Sequence, residues 1–267
     1  MITIDTPGGT ITADLHPGSP GAPTLLLLHG WCADAALWDD LVPLLARYTL
    51  IIPDLPGAGR SQPVITPRTL FDHALALDRL LDALDVASVT VVGHSMGGAA
   101  ALLLAARNPA RVARLLLVGI SLFREERERR AFRVLLRAAS QVLRVRAEWM
   151  AGSKMLVRLF VGGFVARTLP HTQEQRVFAS YLHVDRGSAV ASATTATSPA
   201  IVDAARMVRC PTLLLTMELD EITYRPNIAW TAAQIPGCQT QVMPACGHLP
   251  MVEQPAALAE IIAEWVL

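Results

Sequence analysis

Lysine is almost missing from these 267 residues: Lys154 is the one lysine among 23 basic side chains, so covalent chemistry on a Schiff-base lysine is not expected. Charge is sparse at 17% of residues, and 23 acidic groups cancel the basic ones, which argues against a nucleic-acid partner. The four cysteines, Cys32, Cys210, Cys238 and Cys246, follow no metal-ligand spacing and form no dense framework. Reduced thiols are expected, with neither a metal nor an organic cofactor. The first five residues carry Asp5 where a signal peptide has a basic region, so a cytoplasmic location is expected. The longest uncharged stretch, 86–106, has the length to span a bilayer but holds Gly93, His94, Ser95, Gly97 and Gly98 at its centre. It reads as buried strand, turn and buried helix, with no transmembrane segment.

What is abundant is apolar: 52% of the chain, enough for one large globular domain with an insertion. Short apolar runs at 24–28, 49–53, 88–92, 115–118, 212–216 and 239–243 lack polar alternation, as strands buried on both faces do. Helical stretches lie between them, such as 70–84, where Leu70, Ala74, Leu77, Leu81 and Leu84 share a face. This alternation predicts an α/β fold with a mostly parallel, doubly wound sheet, edged by an antiparallel hairpin around Gly8-Gly9. After Gly119 about eighty residues intervene before the next strand. The chain is therefore divided into a core, 1–120 and 201–267, and a helical cap insertion, 121–200. Within the cap, Phe132, Leu135, Leu136, Ala139 and Leu143 form a helical stripe, and the small residues of 188–198 suggest a mobile loop.

The chemical signal is Gly93-His94-Ser95-Met96-Gly97, placed between an apolar strand and a helix-forming run. Small residues two before and two after Ser95 let a strand turn abruptly into a helix, exposing the hydroxyl above a helix N-terminus that favours negative charge. A serine hydroxyl needs a base. Of seven histidines, His248 follows a strand through a turn-rich loop and precedes a helix, whereas His29 and His94 read as scaffold. The base needs an acid: Asp220 ends the 212–216 strand segment, with Glu218 as its rival and a helix-capping role as its bland alternative. Two backbone N–H groups, of Met96 after the nucleophile and of Trp31 after Gly30, are expected to hold an oxyanion.

Together His29-Gly30-Trp31, the stretch 54–61, the elbow 93–98, Asp220 and Gly247-His248-Leu249-Pro250 resemble the α/β-hydrolase superfamily in its capped, esterase-like branch. The resemblance implies Ser95 as nucleophile, Asp220 as acid, His248 as base, and Trp31 and Met96 as oxyanion-hole positions. Thr216 departs from it, since relatives often carry glycine there, and this keeps Glu218 in play. The expected activity is hydrolysis of a carboxylic ester or thioester through an acyl-enzyme. Carbon–carbon bond hydrolases of diketone-like substrates share the triad and stay open beside it, as does a ligand-binding module on the same frame. Serine at the elbow argues against epoxide and halide chemistry.

The build is also similar to pimeloyl-carrier-protein methyl ester esterases. Between Arg124 and Arg176 stand twelve basic and five acidic residues, an excess that could steer an anionic or acyl-carrier-bound substrate or equally form a solvated face of Glu–Arg pairs. The small-molecule ester itself is expected to sit in an acyl pocket roofed by Met155, Leu156, Leu159, Phe160 and Phe164.

Overall fold

The apolar runs become strands of an eight-stranded sheet, the first five at or near its middle. The run 239–243, expected to be buried on both faces, is instead an edge strand with four of its five residues exposed, as its Gln239, Thr240 and Gln241 allow. The computed structural model describes residues 1–144, 146 and 148–266. Its strands are β1 (Ile2–Thr6), β2 (Gly9–His16), β3 (Thr24–Leu28), β4 (Thr49–Asp54), β5 (Val89–His94), β6 (Val112–Val118), β7 (Thr212–Met217) and β8 (Gln239–Met243). Their order is β1-β2-β4-β3-β5-β6-β7-β8. The β1–β2 hairpin pairs antiparallel onto β4, and all further pairings are parallel.

Successive side chains of a strand point to opposite faces, and here each face meets its own core. Leu26, Leu28, Val91, Leu115 and Leu117 join one cluster, while Leu25, Leu27, Val92, Leu116 and Val118 join the other. The helices are α1 (Leu70–Ala83), α2 (Met96–Arg107), α3 (Glu126–Val142), α4 (Lys154–Gly162), α5 (His171–Leu182), α6 (Arg186–Ala196), α7 (Pro199–Met207), α8 (Ile228–Gln234), α9 (Pro250–Glu253) and α10 (Pro255–Val266). Residues of α1, α2 and α7 fill the first core and residues of α10 the second, so the central strands are buried on both faces while the edge strands β1 and β8 stay partly exposed.

Between β6 and β7 the chain is helical. Glu128 starts α3 by accepting the N–H groups of Arg124 and Glu125 at 2.8 and 3.1 Å and the Asn227 side-chain amide at 2.7 Å. The loop expected over 188–198 is instead mostly α6. Asp185 caps it by accepting the Ser188 N–H at 2.6 Å, and Ser192, Thr194 and Thr195 return their hydroxyls to carbonyls one turn back. The small residues let α6 approach the core closely, where Ser188, Ala189, Ser192 and Ala193 are buried. Residue 200 falls in the first turn of α7, whose Ile201, Val202, Ala204 and Ala205 pack into the first core.

Candidate active site

Strand order places the chemistry. β3 and β5 are neighbours, with Leu28 opposite Gly93, and the chain leaves β3 toward one edge and β5 toward the other. A crevice opens beyond the carboxyl ends of such a pair. Gly30-Trp31 leaves β3 there, and Ser95 joins β5 to α2 with φ 51° and ψ −116°, a left-handed backbone for a residue with a side chain. The turn is tight enough to require its glycines: a Cβ on Gly93 would lie 2.7 Å from the Gly97 carbonyl oxygen, and one on Gly97 2.5 Å from the carbonyls of Leu28 and His29. Met96 opens α2, in the first turn, where amide N–H groups have no intrahelical acceptor.

His248 is fixed from three sides. Its Nδ1–H donates to Asp220 Oδ2 at 2.9 Å, its N–H donates to the Phe164 carbonyl at 2.8 Å, and its carbonyl accepts the His94 Nε2–H at 2.9 Å. Asp220 also accepts the N–H groups of Ile222 and Thr223 at 2.8 and 3.0 Å and the Thr223 hydroxyl at 2.6 Å. Burial pushes its carboxyl upward, but the hydrogen bonds from His248 and Thr223 outweigh that and hold it well below the usual carboxylate range. Glu218 is exposed and accepts the Ala245 N–H at 2.8 Å, a loop contact remote in role from an imidazole partner.

Two further histidines of the site loops, His29 and His94, are held by backbone partners. His29 donates from Nδ1 to the Gly30 carbonyl and accepts the Leu55 N–H at Nε2, both at 2.9 Å, which fixes its neutral form. Burial first, then the neighbouring His248, push His94 down to about 3. Burial likewise pushes the Cys32 thiol up to about 12, so it offers no competing thiolate.

Ser95 and His248 line one cavity of about 430 Å³, together with Trp31, Met96, Thr223 and residues of the inserted helices. Its roof differs from the expectation. Phe160 and Phe164 line it, but Met155 and Leu159 are 75% and 76% exposed, and Leu156 is half-buried away from the lining. The periodicity was read correctly as a helix, but its inward stripe runs through Val157, Phe160 and Val161. The missing wall is α3, where Phe132, Leu135, Leu136 and Ala139 line the cavity; their stripe was visible in the sequence but gave no sign of facing the site.

Two further residues had no signal of their own. Thr223 supports Asp220, and Glu253, fully buried, accepts the N–H groups of Ala166 at 2.8 Å, Gly247 at 3.2 Å and Leu249 at 3.3 Å. Trp31 adds an unforeseen link: its indole N–H donates to the Ala189 carbonyl of α6 at 2.7 Å. Part of the arginine cluster is paired on α3, where Arg127 bridges Glu125, and Arg129, Arg130 and Arg133 gather around Glu126. No helix among the described residues is long and apolar enough to cross a membrane.

A family model described as the α/β hydrolase fold matches residues 23–255. A pimeloyl-[acyl-carrier protein] methyl ester esterase of Nitrosospira multiformis is 26% identical over 241 residues, covering 87% of this chain and 90% of that protein. A 2-hydroxy-6-oxononadienedioate/2-hydroxy-6-oxononatrienedioate hydrolase of Paraburkholderia xenovorans is 35% identical over 125 residues, 45% of this chain and 43% of that one. Among solved structures, a thermophilic esterase from Thermogutta terrifontis superposes with a TM-score of 0.79 at 26% identity, covering 99% of this chain and 96% of its own.

Proposed function

The chain belongs to the α/β hydrolase fold family, and from that premise we propose that it is a serine hydrolase cleaving a small-molecule carboxylic ester or thioester through an acyl-enzyme on Ser95. The observation that carries the reading is the 2.9 Å hydrogen bond from His248 Nδ1 to Asp220, on a histidine that shares one cavity with Ser95. Because Nδ1 keeps its proton for the carboxylate, Nε2 is left with the lone pair a base requires.

In the proposed sequence His248 Nε2 takes the Ser95 hydroxyl proton as Oγ attacks the carbonyl carbon. Negative charge on the carbonyl oxygen is received by the N–H groups of Trp31 and Met96 at the positive end of α2. Collapse of the tetrahedral adduct breaks the ester bond, with the His248 proton passing to the departing alcohol or thiol. A water molecule then gives a proton to His248 and its oxygen to the acyl carbon, and the returning proton restores Ser95. Asp220 stays ionised and stabilises the imidazolium.

The core–cap division at 121–200 belongs to the same reading, the inserted helices forming the roof under which the substrate sits. Steady turnover of p-nitrophenyl acyl esters, with stoichiometric labelling by a fluorophosphonate, tests the proposal. Binding of a metabolite without turnover or labelling would instead indicate a ligand-binding module.

A further inference from the structure

The cavity is large, within the range of about 300–1,000 Å³ common to small-molecule sites, yet no arginine, lysine, aspartate or glutamate is among the described residues that line it. Three polar groups on its wall are already engaged. The Trp31 indole N–H is given to Ala189, the Thr223 hydroxyl to Asp220, and His94 Nε2–H to the His248 carbonyl. Arg146 is not on the lining and donates to the carbonyls of Tyr181 and Val184, and Arg127, Arg130 and Arg133 of α3 pair with Glu125 or Glu126. A carboxylate entering this space would lose its hydration without gaining a cation on the lining.

The wall itself has two characters. Phe160, Phe164 and Tyr181 form an aromatic side, with Phe160 ring centroids 5.5 Å from Phe164 and 4.6 Å from Tyr181, and it packs on the core of one sheet face. Ile120, Leu122 and Ile201 form an aliphatic side continuous with the core of the opposite face. Ser95 stands at the end of the central strand β5 that divides the two layers. Both apolar sides belong to the one cavity that Ser95 lines.

Resting on the serine-hydrolase reading, we infer that the substrate is an uncharged ester, apolar on both sides of its carbonyl, and that the site discriminates against esters or diketones bearing a carboxylate. This separates the chain from chemistry on a dioate, whose free carboxylates would need a cation in the cavity.

The test compares chain-matched pairs: p-nitrophenyl hexanoate against the p-nitrophenyl half-ester of adipic acid, and ethyl hexanoate against the same ester carrying a carboxylate on its alcohol side. The charged member of each pair should have a kcat/KM lower by on the order of 100-fold. Leu135→Arg, which places a cation on α3 at a position 65% exposed, should shift that ratio toward the half-ester by about tenfold. Equal turnover of charged and neutral members would overturn the inference while leaving the hydrolase reading intact. The Ser95→Ala protein supplies a readout independent of catalysis: isothermal titration with hexanamide-based and adipamate-based analogues should show binding of the neutral one alone. Preferential binding of the carboxylate would equally overturn the inference, and absence of fluorophosphonate labelling with that preference preserved would remove only the hydrolase reading.

Discussion

The Glu253 carboxylate accepts the Gly247 N–H at 3.2 Å, one residue before the proposed base, and with the same oxygen accepts the Ala166 N–H at 2.8 Å from the segment that leaves α4. A buried acid thus joins the histidine loop to the inserted helices, and the His248 N–H bond to Phe164 runs beside it. Glu253→Ala leaves the buried N–H groups of Gly247 and Leu249 without an acceptor, removes the acceptor of the more exposed Ala166 N–H, and should cost about 2–4 kcal/mol of unfolding free energy, read from the urea midpoint. Turnover should fall with it, because the loop that aims His248 loses its brace. An unchanged midpoint would show that water takes over the carboxylate's place.

Asp220→Asn should lower kcat by roughly 10³ to 10⁴, since an amide no longer enforces the Nδ1–H form of His248. Glu218→Gln should change it by a few-fold at most, given that Glu218 serves only the Ala245 N–H. The ranking is the point. Thr216, where relatives often have glycine, is buried within β7 and donates its hydroxyl to the Gln241 carbonyl, so this departure is absorbed by the strand pair and leaves Asp220 in place.

Substrate preference should respond to the walls that line the cavity and not to the outer face of α4. Each methylene added to an acyl chain within the pocket should gain about 0.8 kcal/mol, a several-fold rise in kcat/KM per carbon until the space is filled. Phe160→Ala and Leu136→Ala should flatten or displace that profile, whereas Met155→Ala and Leu159→Ala, both on exposed side chains, should reproduce the parent curve. A profile shifted by the Met155 or Leu159 variants would place the acyl site elsewhere.

Acid should weaken the fold before it protonates Asp220. Burial holds His73 and His94 down to about 3, so both stay neutral in the folded state while the unfolded chain takes up their protons below the ordinary histidine pKa of about 6.5. Their contribution is present above that value and is lost as pH falls from about 6.5 toward 3, with a limiting slope of about 1.4 kcal/mol per pH unit for each histidine. Urea midpoints between pH 7 and 5 should fall accordingly. His29 is pushed down by burial as well, so His73→Gln removes one of three such groups and should reduce the slope by about a third over the range where the unfolded histidines are charged. A pH-independent midpoint would contradict the assignment of a depressed pKa to these residues.

The central strands were readable because they are buried on both faces and are mostly apolar, as in Leu25 to Leu28, and because their spacing leaves room for crossover helices. The edge strand β8, with Gln239, Thr240 and Gln241 exposed, fits that pattern least. The elbow and the loops of Asp220 and His248 were readable because each is a short local pattern at a strand end. What escaped depends on distance in sequence. The Phe132 to Ala139 stripe looks like any amphipathic helix until its orientation over Ser95 is known, and the Trp31–Ala189 bond joins residues 158 positions apart. In 188–198 the small residues carried no apolar stripe, and only the Asp185 cap and the Ser and Thr hydroxyl bonds reveal a helix.

The central claim is that Ser95 is the nucleophile. The most direct measurement is kcat for p-nitrophenyl hexanoate hydrolysis by Ser95→Ala, with folding verified by its unfolding midpoint. The account predicts a loss on the order of 10⁴-fold or more with stability nearly unchanged, since the hydroxyl is the group that forms the covalent bond. Retention of most of the activity in a folded alanine variant would contradict it.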